Sequence, residues 1–413
     1  MMVSRLQRLE KKKGSKIRNI VGIVITILVI SGIFLAWRVY GFYRGIKQPT
    51  RKLIVTKSPE EKYTYNLLVL GYGGGKHDGA YLTDTIMIVH ADTKKKKAVL
   101  ISIPRDVWVK VPTTTQENFH YKINALYEMG LFPQDFPNVD KKYLAYGDSA
   151  GLIKYAGLEI LGFPIDAYVS VDFSGFTKAI DILGGVDVVV DRAFSDYEYP
   201  IAGKETDLCG RDEEFKQIEP LINKQMSEED KVKLFKEKSD LENFFNEIKD
   251  EPNKAFPCRY VTLQFEAGPA HMDGEIALKY SRSRHSLQDG GDFNRAKRQQ
   301  KILEAVKDKF LSIGGLTKIL PLMDEMQNYI KTDVPEDDIR RLFPEIKNLN
   351  EYEIIPLVIA EPQYVISSYS DYGQYILLPK SGKDNWRQVQ TDVKNIMDGI
   401  TPAPTLSKKN KTN

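Results

Sequence analysis

The chain has 413 residues, of which 42% are hydrophobic and 28% are charged. These values are ordinary for globular proteins, so they exclude a disordered chain and allow one large domain or two smaller ones. The formal net charge of +3 provides no overall attraction to nucleic acid, and we expect no nucleic-acid partner. The basic residues must therefore be judged by their positions.

A charge-free apolar stretch near the N-terminus predicts one transmembrane helix over residues 20–40. Residues 1–19 are strongly basic, with Glu10 as their sole acidic residue, so the positive-inside rule places them in the cytoplasm and the rest of the chain outside the cell. A cleaved signal peptide is the alternative. It fits less well, because the apolar stretch is longer than a usual signal and no small-x-small cleavage site follows it.

Alternating strand-like and helix-like patterns follow a basic juxtamembrane linker at residues 41–62. Buried strands are predicted at 66–71, 85–90, 98–103, 167–171 and 186–190, the second and third joined as a hairpin. Helical patterns at 149–161 and 173–183 each end at a glycine. This order predicts an α/β domain with a mixed central sheet over residues 63–312.

Cationic and amide side chains occupy the start of a predicted helix where an apolar stripe should already have begun. The helix is predicted from an N-cap at Asp292, and its apolar stripe projects back through Gln299 and Arg295. An arginine and a glutamine therefore face inward. Because burying a guanidinium group without a partner costs several kcal/mol, we expect an anion opposite them.

More arginines lie beside this helix start. Arg282 and Arg284 alternate at strand spacing, which aims both side chains to one side, and Arg298 lies in the helix itself. The forked donors of arginine suit phosphate or pyrophosphate, and the helix N-terminus adds its dipole. The stretch therefore predicts half of a phosphate-binding site.

Two further clusters lie at the ends of predicted strands, where α/β folds place their sites. The first is a glycine-rich loop that ends at Asp84, and the second is the SIPRD sequence with Arg105 and Asp106. The two carboxylates suit Mg²⁺ bound together with phosphate oxygens. The loop lacks a nucleotide-binding pattern. His77, His271 and His285 are too scattered for a zinc site and are expected to be polar surface or hydrogen-bonding residues.

The two cysteines of the chain, Cys209 and Cys258, bracket a highly charged segment. In an exported protein such a pair favours a disulfide, although two unrelated thiols are the alternative. Residues 195–260 are accordingly predicted to be a solvated helical insertion that is pinned at its base. Residues 313–400 mix helical and strand-like patterns and are predicted to be a C-terminal α/β extension, and residues 401–413 a disordered tail.

The order of seven motifs resembles the LytR-CpsA-Psr (LCP) family of cell-envelope phosphotransferases. The motifs are LTDTIMI, SIPRD, KINALYEMG, DAYVSVDFSGF, DILGGVDVVV, DGEIALKYSRSR and DFNRAKRQQ. The resemblance implies a three-layer α/β/α domain whose apolar interior accepts a lipid tail. It also implies a membrane-anchored, extracellular enzyme of cell wall biogenesis that acts as a glycopolymer–peptidoglycan ligase. Such an enzyme transfers a glycopolymer from an undecaprenyl-pyrophosphate carrier to a peptidoglycan hydroxyl, with Mg²⁺ as cofactor.

The resemblance also implies roles for individual residues. Asp84 is similar to a magnesium-binding aspartate, with Asp78 and Asp106 as further candidate ligands. The implied pyrophosphate clamp comprises Arg105, Arg282, Arg284, Arg295, Arg298 and Gln299. Among these, Arg105, Arg284 and Arg295 are expected to be catalytic together with Asp84, and Asp292 is expected to orient the arginines.

Two positions depart from the family pattern. Leu82 occupies a position where the family usually has arginine, and Gly73 lies where it usually has an aspartate. Asp78 or His77, in the same loop, could replace the missing carboxylate. A prenyl-pyrophosphate phosphatase, or a non-catalytic envelope-anchored binding or regulatory protein, therefore stays open as an alternative function.

Overall fold

The computed structural model describes residues 29–49, 63–75, 79–144, 149–223, 225–312, 317–346 and 348–400. Several segments with sequence predictions lie outside this part of the chain. They are the cytoplasmic segment 1–19, the first part of the transmembrane prediction (20–28), most of the linker (50–62), the candidate residues His77 and Asp78, and the tail 401–413.

The strands, in chain order, are β1 (Thr64–Tyr72), β2 (Thr83–Asp92), β3 (Lys97–Ser102), β4 (Trp108–Lys110), β5 (His120–Lys122), β6 (Ala167–Asp172), β7 (Val186–Val190), β8 (Phe194–Pro200), β9 (Tyr260–Phe265), β10 (Gly268–Met272), β11 (Ile330–Thr332), β12 (Glu353–Val358), β13 (Val365–Tyr369) and β14 (Tyr375–Pro379).

The helices are α1 (29–46), α2 (Leu126–Leu131), α3 (Lys141–Leu144), α4 (Gly151–Leu161), α5 (Phe173–Leu183), α6 (Asp212–Ile222), α7 (Glu228–Glu237), α8 (Ser239–Asp250), α9 (Pro252–Ala255), α10 (Gly274–Arg282), α11 (Gly291–Leu311), α12 (Ile319–Met326), α13 (Glu336–Ile346) and α14 (Arg387–Met397).

Six strands form a central mixed sheet in the order β11-β6-β1-β2-β3-β12. The β1–β6 and β3–β12 pairs are parallel, and the other neighbours are antiparallel. The predicted α/β class with a mixed sheet is therefore confirmed. The predicted hairpin is β2–β3, whose turn uses Lys96 at a φ of 52°.

One face of the sheet packs against α4 and α14. Successive strand residues point to opposite faces, so Leu68 and Leu70 of β1 face this layer together with Ile88 of β2. They meet Ile153 and Ile160 of α4, and all five side chains are almost completely buried. Among the described residues, this is the largest of three hydrophobic cores.

The opposite face of the sheet is covered by α5, α10 and α11. These helices share a second core with β7 and β10, which includes Ile180, Tyr280 and Ile302. Gln300 fixes α11 to the sheet, because its side-chain amide donates to the carbonyl of Leu100 at 2.8 Å and to the Ser102 hydroxyl at 2.9 Å. Helices thus cover both faces of the sheet. On the second face, residues of the sheet and of the covering helices line a cavity.

The segment after residue 312 is not a separate extension, which corrects the sequence-based domain boundary. Its strands β11 and β12 form the two edges of the central sheet, pairing with β6 and β3. Helix α14 adds Val389 and Val393 to the main core. Residues 317–400 therefore complete the domain.

The charged insertion is a helical subdomain that lies between β8 and β9, which pair with each other. Helices α6 to α9 surround a small core of their own, built on Ile218, Phe244 and Phe256. Cys209 and Cys258 are joined by a disulfide at its base.

Helix α1 lies against the segment that follows β11. The Tyr43 hydroxyl donates to the carbonyl of Val334 at 3.1 Å, and Tyr43 and Ile46 are both 8% exposed. Residues 41–46, which were assigned to the juxtamembrane linker, are helical. Within the described residues, no helix combines the length and the apolar character needed to cross a membrane.

Candidate anion-binding cavity

A cavity of about 520 Å³ lies between the central sheet and the layer of α5, α10 and α11. Its interior is apolar, with walls built from Val69, Met87, Val169, Val171, Phe176, Ala179, Ile180, Leu278, Ile302, Leu303 and Val306. Its polar lining residues are Asp84, Arg105, Asp172, Asp196, Glu198, Arg282, Arg284, His285, Arg295 and Gln299. The cavity is therefore amphipathic, and it suits a ligand with an apolar tail and a polar head.

The ends of β2 and β3 bring Asp84 and Arg105 together. A guanidinium nitrogen of Arg105 donates to Asp84 Oδ1 at 2.7 Å. Burial opposes the charge of Arg105, but the neighbouring carboxylates of Asp84, Asp292 and Asp106 outweigh it and raise the pKa of Arg105. This arginine is therefore a permanent cation of the cavity wall.

Asp106, a candidate metal ligand, is not among the residues that line the cavity. One of its oxygens accepts a hydrogen bond from Lys122 Nζ at 2.6 Å, and the other lies 3.5 Å from Arg105 Nε. The side chain is thus engaged by two cations on the side of β5. The structure places Asp106 behind Arg105, where it braces the arginine.

The first turn of α11 presents Arg295 and Asp292. The helix begins at Gly291, with Gly290 as the N-cap, so the predicted N-cap role of Asp292 is wrong. A Cβ at Gly290 would lie 2.1 Å from the carbonyl oxygen of Ser286, so only glycine allows this close approach. Asp292 instead lies in the first turn, with Oδ1 3.1 Å from Arg295 and 4.0 Å from Arg284.

The charges at this helix start are coupled. Burial lowers the pKa of Arg295, and the nearby Arg105 adds to this effect while Asp292 opposes it. Burial would raise the pKa of Asp292, but Arg295, Arg284 and Arg105 together hold that pKa below its usual range. Asp292 is therefore ionised and balances part of a cluster of arginines.

Two buried donors of this cluster lack acceptors. Within the described part of the chain, the Nε atoms of Arg105 and Arg295 have no hydrogen-bond partner, although both are shielded from solvent. An unsatisfied buried donor costs about 1–3 kcal/mol, and more when it is charged. Both residues line the cavity. Because Asp106 Oδ2 lies 3.5 Å from Arg105 Nε, the Nε of Arg295 is the donor that an anion in the cavity would satisfy.

Arg282 and Arg284 reach the cavity by a different route from the predicted one. Arg282 is the last residue of α10, not part of a strand, and the chain turns at Ser283. The Arg282 guanidinium lies 4.3 Å from the centre of the Phe173 ring and donates to the Tyr199 hydroxyl at 3.3 Å. Both arginines nevertheless line the cavity, and Arg284 does so from the turn that follows Ser283.

Asp196 of β8 holds this turn in place and was not singled out from the sequence. It is 1% exposed, and one carboxylate oxygen accepts hydrogen bonds from the Ser283 hydroxyl at 2.6 Å and from the backbone N–H groups of Arg284 and His285 at 2.9 and 3.1 Å. Burial alone would raise the pKa of Asp196, but these donors outweigh it and lower the pKa.

Replacing Asp196 with asparagine is expected to lower the free energy of unfolding by about 3 kcal/mol, because hydrogen bonds to a buried charged group contribute energies of this size. The pKa of Asp196 in the folded state is lowered. Its contribution to the free energy of unfolding is therefore complete at pH values above the usual aspartate pKa, and it is lost as the pH falls through the folded-state pKa. Denaturant titrations at several pH values should show that the difference in free energy of unfolding between wild type and Asp196→Asn becomes smaller only at acidic pH.

The control for this prediction is Asp191→Asn, which removes an exposed partner of Lys301. A change below about 1 kcal/mol is expected there. Equal losses in the two variants would contradict an anchoring role for Asp196.

Arg298 and Gln299, which were predicted together as phosphate ligands, separate in the structure. Arg298 is 2% exposed and donates to the carbonyl oxygens of Tyr280 and Ser283 and to the carboxylate of Asp289. It does not line the cavity, because its donors all serve to hold the loop before α11. Gln299 does line the cavity.

Two further polar residues of the cavity lie on β8 and on the turn after α10. Glu198 Oε2 lies 2.9 Å from His285 Nδ1, and both side chains line the cavity. His285 was expected to be a polar surface or hydrogen-bonding residue, and it is exposed and paired with Glu198; its place in the cavity lining was not predicted. His271, by contrast, pairs with Asp187 on the exposed β7–β10 ribbon.

The two departures from the family pattern lie beside the cavity, not in it. Leu82 packs against the main core, and Tyr72 stacks on Tyr81 with a ring separation of 5.9 Å. The loop after β1 requires glycine at position 74, because φ of Gly74 is 73° and a Cβ there would lie 3.0 Å from the Asp172 side chain. Asp78 and His77 fall outside the described residues, so the structure gives no position for them.

The fold and the cavity define a class: an α/β protein with a mixed sheet that holds an apolar chamber next to a cluster of arginines and carboxylates. The sequence profile of the LytR_cpsA_psr family matches residues 44–389. The chain therefore belongs to this family.

Relatives and solved structures agree with that assignment. The chain is 26% identical over 294 residues to the polyisoprenyl-teichoic acid–peptidoglycan teichoic acid transferase TagV of Bacillus subtilis, covering 70% of this chain but only 54% of TagV. It is 24% identical to TagU of Oceanobacillus iheyensis, which has the same transferase name, covering 83% and 84% of the two chains.

A similar fold occurs in the crystal structure of protein gbs0355 from Streptococcus agalactiae. The two chains are 19% identical with a TM-score of 0.51, covering 82% of this chain and 89% of the other. This likeness concerns the fold alone.

Proposed function

We propose that this protein transfers a glycopolymer from an undecaprenyl-pyrophosphate carrier to a hydroxyl group of peptidoglycan. The observation that carries the proposal is the amphipathic cavity, in which the Arg105 guanidinium and the unsatisfied Nε donor of Arg295 lie beside an apolar chamber. A prenyl pyrophosphate has the matching parts, a long apolar chain and a doubly anionic head. The names of TagV and TagU as teichoic acid transferases support the same activity.

In this proposal the arginines bind and orient the pyrophosphate. Arg105, Arg284 and Arg295 provide forked donors, held by Asp84 and Asp292. Arg282 and Gln299 extend the clamp along the cavity wall. The acceptor hydroxyl attacks the phosphorus nearest the sugar, and undecaprenyl phosphate leaves. Positioning and charge neutralisation account for most of the catalysis in such transfers, so no covalent intermediate on the protein is required.

Mg²⁺ is the proposed cofactor, and Asp84 is the residue proposed to hold it. Asp84 fits this role because it lines the cavity, and among the described residues only one of its two oxygens, Oδ1, accepts a hydrogen bond, from Arg105. Mg²⁺ is commonly held by one or two carboxylates together with phosphate oxygens. When bound, the ion would neutralise charge on the pyrophosphate.

We further propose that residues 20–40 anchor the protein in the cell membrane, with the N-terminus in the cytoplasm and the catalytic domain outside. The charge-free sequence between Arg18 and Arg38 supports this topology. The apolar side chains Ile33, Phe34 and Trp37 of α1 are 54–66% exposed, as expected for a segment with an apolar environment. A membrane position would place the cavity near its lipid-linked substrate.

The test is a transfer assay with the full chain in lipid vesicles, a prenyl-pyrophosphate-linked N-acetylglucosamine donor and peptidoglycan fragments as acceptor. A glycan joined to the fragment through a phosphodiester, together with prenyl monophosphate, is the expected product. Release of sugar phosphate at equal rates with and without acceptor would identify a phosphatase instead. Binding of the donor without any product would indicate a binding protein.

Asp84→Asn is expected to lower the transfer rate by about 10²-fold or more, because the clamp loses the charge that fixes Arg105 and holds Mg²⁺. Isothermal titration with Mg²⁺ and inorganic pyrophosphate should show weaker metal binding in the variant. Asp135→Asn is a suitable control, since Asp135 is an exposed aspartate outside the cavity. Unchanged metal binding in Asp84→Asn would remove Asp84 from the metal site.

A further inference from the structure

The transfer reaction requires a group that accepts the proton of the attacking hydroxyl. Four carboxylates line the cavity among the described residues: Asp84, Asp172, Asp196 and Glu198. Asp196 accepts hydrogen bonds from the turn after α10, and Asp172 caps α5 by accepting from the Gly175 N–H at 2.8 Å. Both carboxylates thus hold backbone N–H groups, Asp196 with several hydrogen bonds and Asp172 at the start of α5.

Asp84 is also a poor candidate for the proton acceptor. One of its oxygens already accepts from Arg105, and the other is the proposed ligand of Mg²⁺. Its lone pairs are therefore directed at cations. Glu198 lies against the imidazole of His285, with 2.9 Å between Oε2 and Nδ1.

His285 itself is positioned to accept a proton. Its backbone N–H donates to Asp196, so the turn that carries it is fixed, and its ring lines the cavity. With Nδ1 facing Glu198, the other ring nitrogen, Nε2, is available, and among the described residues nothing forms a hydrogen bond with it. A carboxylate on one ring nitrogen and a free second nitrogen is the arrangement of a general base.

We propose that His285 is the general base of this protein, oriented by Glu198; the inference rests on the proposed transfer function. Nε2 takes the proton of the acceptor hydroxyl as the hydroxyl oxygen bonds to the sugar-linked phosphorus. The bond from that phosphorus to the bridging oxygen breaks, and the bridging oxygen leaves with prenyl monophosphate. The imidazolium then returns its proton to solvent, so no co-reactant is needed.

The charged groups around His285 suit this role. Glu198 and Asp196 face it from β8 and Asp292 from α11, while Arg284 precedes it in the chain. The Glu198 carboxylate orients the ring through Nδ1, and Arg284 and Asp292 lie within 4.0 Å of each other next to it.

The test measures transfer by the full chain in vesicles for wild type and His285→Gln. Loss of a general base typically costs about 10²- to 10⁴-fold, so kcat should fall by that factor near neutral pH, with pyrophosphate affinity little changed. Histidine changes charge between about pH 5 and 8, so the wild-type rate should fall as pH is lowered and this acid limb should vanish in the variant. His271→Gln is the matched control, because His271 also pairs with a carboxylate, that of Asp187, but lies outside the cavity.

A second variant separates a chemical role from a structural one. The His285 side chain is 44% exposed, so imidazole from the buffer can reach the space left in His285→Gly and should restore part of the rate. Transfer by His285→Gln within about threefold of wild type, or an acid limb that persists in it, would overturn the proposal while leaving the transfer function standing. No transfer by wild type would overturn both.

Discussion

Replacing Arg295 with alanine is expected to lower the rate of glycopolymer transfer by about 10²- to 10³-fold, the usual cost of removing one preorganised donor from a transition state. The side chain is 5% exposed, and its Nε has no acceptor among the described residues, so its donors are already desolvated and aimed before the ligand arrives. Arg295→Lys keeps the charge but loses the fork, and a smaller loss is expected for it. Single-turnover kinetics would separate the chemical step from binding.

Lys301→Ala is the matched control for the arginine variants. Lys301 is another cation of α11, but it pairs with Asp191 outside the cavity, so its removal should leave transfer nearly unchanged. Because Arg295→Ala leaves Asp292 without its partner at 3.1 Å, thermal unfolding should be recorded for every variant. A folded Arg295→Ala protein that transfers at the wild-type rate would exclude Arg295 from the pyrophosphate clamp.

The local parts of the fold could be predicted from the sequence, and the long-range parts could not. The strands β1, β2 and β3 contain short apolar runs, which their length, their β-branched residues and the flanking turn residues identify without tertiary information. The edge strand β11 has only three residues, and it pairs with β6, which lies far away in sequence. No local signal marks such a strand, so the segment after residue 312 resembled a separate unit.

The site was predictable in composition but not in detail. Arg282 and Arg284 were placed on a strand from their spacing of two, yet Ala277, Tyr280 and Ser281 are buried at helical spacing and mark the end of α10. The helical projection placed Arg295 and Gln299 on the inward face of α11, and both line the cavity. Arg298 was added to the clamp for its forked donors, but these bind carbonyl groups of the preceding loop, which no projection of the helix could reveal.

The apolar chamber yields the second large expected effect, on donors with long lipid chains. Ala179 on α5 lines the chamber, and Ala179→Phe would place a ring in the space proposed for the prenyl chain. Transfer from a long-chain prenyl-pyrophosphate donor should fall by about 10²-fold or more, since each buried methylene that is displaced costs about 0.8 kcal/mol. A donor with a short prenyl chain should lose much less, because the arginine clamp that binds its head is unchanged.

The comparison of chain lengths makes this prediction specific to the chamber. Ser174→Phe adds the same ring at an exposed position of α5 outside the cavity, so it should leave both donors unaffected. Equal losses for long and short donors in Ala179→Phe would mean that the ring disturbs the head-group site. An unchanged rate with the long donor, in a variant whose thermal unfolding matches wild type, would show that the lipid chain lies elsewhere. A selective loss with the long donor would connect the apolar walls to the arginine clamp as one binding site for an amphipathic substrate.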